Sequence, residues 1–157
     1  MATIHLMVGF IGFGKTTIAK NLEESLSAIR FTHDEVMFAR YGRNPDDFRT
    51  KYKIVDNEIR SQAEKIIKSG QDVILDYGFW SHQQREEFYR WAKGITDDVV
   101  FHLICCDLNT AKKRVLKRTA TDKNALMIDE GIFDVLLTQY EPWSEKDNYQ
   151  VIKHDNN

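Results

Sequence analysis

The sequence predicts an α/β chain, a three-layer sandwich with a five-stranded parallel sheet in the middle. Three observations carry this. Strand-like apolar runs and helix-like periodic segments alternate along the whole chain. A glycine-rich turn, Gly9-Phe10-Ile11-Gly12-Phe13-Gly14-Lys15-Thr16, stands between the first run and the first helix. Val99 to Cys105 is a nearly continuous apolar run, as expected of a strand covered on both faces. Alternation of this kind puts helices on both faces of a parallel sheet.

Ile4 to Val8 is the first strand, and the helix from Lys15 to about Ser27 carries Ile18, Leu22 and Leu26 on one side. Ala28 to Thr32 reads as a short second strand ending at His33-Asp34, followed by a brief helix from Glu35 to Arg40 that Gly42 ends. Asn44-Pro45-Asp46-Asp47 predicts the start of a long helix: a capping Asn, Pro in the first turn, and acids near the positive helix end. Phe48, Tyr52, Val55, Ile59, Ala63 and Ile66 share its apolar face, and Gly70 stops it. Asp72 to Asp76 is the third strand. Ser81 with Gln84 predicts a capping box for a helix to about Lys93, with Phe88 and Trp91 inward. After the fourth strand, Val99 to Cys105, Asn109 opens a helix to about Arg118, and the polar stretch Thr119 to Ala125 breaks the pattern. Asp129 opens a last helix with Ile132, Phe133, Leu136, Leu137 and Tyr140, and Gln150-Val151-Ile152 is the fifth strand. No repeat or linker divides residues 1–157, which read as a single domain.

Composition narrows the function classes. The 157 residues are 42% hydrophobic and 11% aromatic, as in a globular protein. Twenty-two Lys and Arg against 24 Asp and Glu leave a formal charge of −2, so no global basic field draws the chain to nucleic acid or an anionic membrane. Met1-Ala2-Thr3-Ile4 enters a strand directly, so no secretory leader is expected. No apolar run approaches the ~20 residues of a membrane helix. Cys105 and Cys106 are neighbours on opposite faces of a strand, lack zinc-type spacing and read as core thiols of a cytoplasmic protein.

The chemistry starts at the glycine-rich turn. A G-x-x-x-x-G-K-T pattern between a buried strand and a helix is the context that holds a nucleoside triphosphate. The backbone N–H groups curl round the phosphates and the helix N-terminus adds its partial positive charge. Gly9, Gly12, Phe13, Gly14, Lys15, Thr16 and Thr17 are therefore the expected nucleotide contacts. Lys15 can reach the β- and γ-phosphates, and the Thr16 hydroxyl can ligate Mg²⁺. In such a sheet ligands collect at the carboxyl ends of the strands. Strand two ends at Asp34, placed to take the proton of a phosphoryl acceptor. Its neighbour His33 either orients the acceptor or sits on the surface. Strand three ends at Asp76, placed near the metal, usually through water; the plain alternative is a turn acid. Arg114 and Arg118 lie four apart on the helix after strand four. There they either complement the helix C-terminus or open a lid, residues 114–128, whose arginines meet the transferring phosphoryl group. The segment Tyr77-Gly78-Phe79-Trp80 and the region from Glu35 to Asp56 are where an acceptor pocket would be built, with rings that stack on a ligand or simply pack.

Together these residues resemble the small P-loop kinases of the polynucleotide-kinase and chloramphenicol-phosphotransferase group, with the zeta-toxin type, catalogued also as AAA-type ATP-binding proteins. The resemblance covers nearly the whole chain. It rests on residues 9–17, Thr32-His33-Asp34, Val73-Ile74-Leu75-Asp76, Arg114 with Arg118, and Tyr140-Glu141-Pro142-Trp143-Ser144-Glu145. It implies a P-loop NTPase fold of the nucleoside-monophosphate-kinase type, with Asp34 as base and Arg118 as a phosphate clamp. It also implies Pro142, with Trp143, on the adenine side. Two positions depart from the polynucleotide kinases. Met37 stands where they carry a substrate-binding Arg, with Arg40 one turn on, and Asp122 and Lys123 stand where a second lid Arg is usual. Arg40, Arg43, Arg49 and Lys51 form either a local anion patch or a solvated helix face.

The expected activity is thus an ATP- and Mg²⁺-dependent transfer of the γ-phosphate to a hydroxyl, with a small molecule as acceptor. A polynucleotide 5′-hydroxyl kinase is one alternative. An ATPase or nucleotide switch without an acceptor is another.

Overall fold

A computed structural model of the chain describes residues 2–122 and 127–157. In chain order these form β1 (Thr3–Val8), α1 (Lys15–Leu26), β2 (Ile29–Thr32), α2 (His33–Tyr41), α3 (Phe48–Lys68), β3 (Val73–Gly78), α4 (His82–Lys93), β4 (Asp98–Cys105), α5 (Leu108–Thr121), α6 (Glu130–Leu137) and β5 (Val151–Asp155). The five strands make one sheet in the order β2-β3-β1-β4-β5, and every pairing is parallel. The expected α/β class and five-stranded parallel sheet are what the chain forms.

Alternation along the strands builds the layers, because successive side chains point to opposite faces. Ile4, Leu6 and Val8 of β1 join Val73, Leu75, Phe101 and Leu103 against Val55, Ile59, Ala63 and Ile67 of α3 and Phe88 and Ala92 of α4. Met7, Ile74 and Ile104 face the other way, with Ala19 of α1, Ala111 and Val115 of α5 and Phe133 of α6. The second face also carries three imidazoles in a row. His5, His102 and His154, on three adjacent strands, are joined ring to ring at 2.9 Å, and the His5 Nε2 meets Asp72 at 3.1 Å.

Several element boundaries differ from the sequence reading, each for a local reason. Helix α2 begins at His33 instead of Glu35. Helix α3 begins at Phe48, after Asp47 in left-handed backbone (φ 45°), so Asn44 and Pro45 lie outside it. Phe48 then rests against Tyr52 at 5.8 Å and stays half exposed, while Ile67 takes the buried place assigned to Ile66. The Ser81 hydroxyl caps α4 by accepting from the Gln84 N–H at 3.1 Å. The Gln84 side chain reaches back to the N–H of Trp80, not that of Ser81. Asp107, not Asn109, caps α5, accepting from the Thr110 N–H at 3.0 Å. Polar Thr119 does not break that helix: its hydroxyl is occupied by both backbone groups of Ile128 at 3.0 and 3.1 Å, and α5 runs on to Thr121. Of the expected lid, 114–128, residues 123–126 lie outside the described residues.

Candidate functional site

The chain leaves β1 in one direction and β3 in the other, so a crevice opens beyond their carboxyl ends. The turn from Gly9 to Thr16 lies there. The Gly9 N–H donates to the Gly78 carbonyl at 3.0 Å, tying the start of the turn to the end of β3. Gly12 has φ +82°, and a Cβ there would lie 2.5 Å from the Ala111 carbonyl oxygen, so only glycine lets the turn lean on α5. The Lys15 stem folds back over Gly9, its Cγ 3.2 Å from where a Cβ would stand. Among the described residues the Lys15 ammonium has neither ion pair nor hydrogen bond, and no side chain caps α1. The N–H groups of Gly12, Gly14, Lys15 and Thr16 likewise find no acceptor among the described residues. Orphan donors at a helix N-terminus beside a free lysine form an anion site. Phe13 contributes backbone only: its ring is buried, edge-on to Phe10 at 6.1 Å and Tyr140 at 6.0 Å. Thr17 is exposed on the first turn of α1.

Asp76 lies beneath this turn. It is 3% exposed, and its Oδ2 accepts from the Thr16 hydroxyl at 2.6 Å and the Thr32 hydroxyl at 2.9 Å. Its Oδ1 is buried without a partner, and no cation of the described residues pairs with it. A buried carboxylate with only neutral donors is an uncompensated charge. That environment fits Mg²⁺, which keeps several waters and binds through one or two carboxylates plus substrate phosphates. Among the described residues no group of three or more His, Cys, Asp or Glu is arranged around a metal, so the cation would rest on phosphate, water, Thr16 and Asp76.

Thr32 is the residue that sequence reasoning left without a role. It pairs in register with Asp76 across β2 and β3, so its hydroxyl binds the Asp76 carboxylate two residues before Asp34. Asp34 is exposed on the first turn of α2. His33 is not on the surface. It is 2% exposed, stacked on Tyr52 at 3.7 Å, with Nε2 against the Tyr52 carbonyl at 3.1 Å. Burial pushes its pKa below the usual imidazole value, which keeps the ring neutral near pH 7. Its buried Nδ1 has no partner. The ring anchors α2 onto α3 and leaves Asp34 in solvent. Tyr77 donates to Asp56 at 2.8 Å, and Asp56 in turn binds Arg60, so these rings close the floor on the α3 side by packing.

Arg114 reaches the turn itself, donating to the Gly12 carbonyl at 3.4 Å. Arg118 is exposed one helical turn further on. Pro142 is exposed, and Trp143 packs on Phe101 at 5.3 Å, in the α3 and α4 layer, away from the layer that holds α1. Trp143 thus packs in that layer of the core. The residue that does meet the turn from the carboxyl end is Asn156, whose carboxamide donates to the Phe13 carbonyl at 2.8 Å. An Asn after a strand looks like any turn residue, so no sequence signal could have found it.

A parallel five-stranded sheet with this turn after its first strand defines a nucleotide-binding P-loop fold of the kinase type. The chain belongs to the AAA domain family, whose model matches residues 4–143. Among solved structures it resembles a candidate kinase from Chloroflexus aurantiacus at 17% identity and a TM-score of 0.75, with 98% of this chain and 88% of that one covered. It also resembles a chain of the Pnkp1/Rnl/Hen1 RNA repair complex at 15% identity and 0.71, covering 88% and 43%. A third likeness is to a gluconokinase from Sinorhizobium meliloti, at 13% identity and 0.60, covering 99% and 82%. At these identities the likeness is one of fold. Among curated proteins no sequence matches the chain. No described helix is long and apolar enough to cross a membrane.

Proposed function

We propose that the protein is an ATP- and Mg²⁺-dependent phosphotransferase acting on the hydroxyl of a small molecule. The observation that carries this is Asp76, a buried carboxylate without a cation, hydrogen-bonded to Thr16 of the phosphate turn and to Thr32 beside Asp34. Mg²⁺, when bound, would neutralise charge on the β- and γ-phosphates. Lys15 and the backbone of residues 12–16 hold the phosphates. Asp34 takes the proton of the acceptor hydroxyl, whose oxygen bonds to the γ-phosphorus as the bond to the β-phosphate oxygen breaks and ADP departs. Arg114 and Arg118, on the helix that flanks the turn, stabilise the charge of the transferring group.

A small acceptor is favoured over a polynucleotide by charge. The net charge is −2, and two cations of the acceptor side are already engaged: Arg40 with Glu58 at 2.8 Å and Lys51 with Asp46. Polynucleotide binding draws on several free cations. The fold shared with the RNA repair complex keeps a 5′-hydroxyl kinase as the second reading.

The test is transfer from labelled ATP to a panel of hydroxyl compounds and 5′-hydroxyl oligonucleotides, with the parent and Asp34→Asn. Loss of the base should lower kcat for transfer about 10²- to 10⁴-fold, with ATP affinity nearly kept. ATP consumption that needs no acceptor and survives Asp34→Asn would show an ATPase or switch instead.

A further inference from the structure

A phosphate cradle turns its N–H groups inward, so its carbonyl groups face outward and need donors of their own. In this turn four of them are met, those of Phe10, Gly12, Phe13 and Gly14. The Phe10 carbonyl accepts from the Phe13 N–H at 3.1 Å, and the Gly14 carbonyl accepts from the Ile18 N–H at 3.2 Å. The two carbonyls between Phe10 and Gly14 that receive side chains are those of Gly12 and Phe13. Arg114 donates to the first at 3.4 Å and Asn156 to the second at 2.8 Å.

Asn156 is held firmly. Its N–H donates to the Cys105 carbonyl at 2.8 Å, one step beyond the pairing of Cys105 with Asp155, so it continues the β4–β5 ladder. The Asn157 side chain accepts from the Asp107 N–H at 2.6 Å. The Asn156 amide nitrogen lies 1.9 Å from where a Cβ on Gly14 would stand. Gly14 also has φ +90°. Glycine at 14 therefore answers two demands: left-handed backbone, and room for the carboxamide.

We propose that Asn156 is a positioning residue of the nucleotide site. It holds the Phe13 carbonyl outward, so that the N–H groups that follow, from Gly14 to Thr16, stay free for phosphate. It also fastens the edge of the sheet to the turn. The inference rests on the reading of residues 9–16 as a nucleotide grip and is independent of the acceptor.

The experiment is calorimetric binding of Mg-ADP to the parent, Asn156→Ala, Asn156→Asp and Asn157→Ala, with the unliganded melting temperature of each. Asn156→Ala should weaken ADP about three- to tenfold, the worth of one hydrogen bond. Its unliganded melting temperature should move by less than about 3 °C. Asn156→Asp should weaken ADP further, since it sets an anion against the Phe13 carbonyl and beside the phosphates. Asn157→Ala should bind like the parent. Parental affinity in both Asn156 variants, or an equal loss in Asn157→Ala, would overturn the assignment. A parent that binds no nucleotide would overturn the grip itself, a different result from failure of Asn156 alone.

Discussion

Two carboxylates of this protein are equally buried and differ in what they meet. Asp147 and Asp76 are 5% and 3% exposed. Asp147 receives Arg85 at 3.0 Å, His82 at 2.8 Å and the Ser144 N–H at 3.0 Å. Arg85 is fully buried and also donates to the Phe79 carbonyl at 2.8 Å and the Glu141 carbonyl at 2.5 Å, so one guanidinium fastens α4, the exit of β3 and the segment before β5. Asp76 receives two hydroxyls and no cation. The first carboxylate has its counter-ion in the chain; the second has none among the described residues. Burial alone does not mark a functional acid. Burial without a counter-ion, at the end of a strand beside a phosphate turn, is the observation on which the proposed Mg²⁺ role of Asp76 rests.

The largest effect should come from breaking the closed member of the pair. Arg85→Met leaves Asp147 buried without its guanidinium, held only by His82 and the Ser144 N–H, and should cost about 3–5 kcal/mol in urea unfolding. Parental stability in that variant would show that Asp147 does not depend on its cation. Asp76→Asn should do the reverse. Removing an uncompensated charge should leave urea stability equal or higher, while Mg²⁺-dependent nucleotide affinity falls about 10- to 100-fold. A stability loss as large as that of Arg85→Met would erase the distinction.

The histidine row sharpens the comparison further, being a buried polar set with no formal charge. Burial, with His5 and His154 on either side, pushes the His102 pKa down to about 3. An unfolded chain binds that proton below about pH 6.5, and the folded chain does not until about pH 3. The His102 shift therefore adds nothing above pH 6.5 and lowers stability as the pH falls from there towards 3. Urea midpoints measured from pH 7 to pH 4 should fall, and fall less steeply in His102→Leu; equal slopes would remove His102 from the account. The smallest effect is expected of Thr32→Val, which deletes one of the two hydroxyls on Asp76. It should cost about 1 kcal/mol in urea and a minor part of the Mg²⁺ affinity. A loss equal to that of Asp76→Asn would make Thr32 a ligand in its own right.

The order and type of the elements were legible because apolar spacing is local. Val99 to Cys105 could only be a covered strand, and residues 9–16 name their ligand class by backbone demand. What was illegible depends on distant pairing. Thr32 gains its role from a register with Asp76 that spans 44 positions, and Asn156 meets Phe13 across 143. Arg85 looks like any helical arginine until the fold buries it. Phe48 misled because its place in the apolar stripe ignored the left-handed Asp47 that starts α3 one turn late.

The row of imidazoles has a directional consequence. A carboxylate only accepts, so the His5 Nε2 must carry hydrogen towards Asp72. In the neutral ring Nδ1 then accepts from the His102 Nε2, and the His102 Nδ1 accepts from the His154 Nε2. One acid at the amino end of β3 thus dictates the tautomer of three rings on three strands. In nitrogen NMR the three should share one proton pattern and change it together, making the row a built-in spectroscopic reporter of the register of β1, β4 and β5.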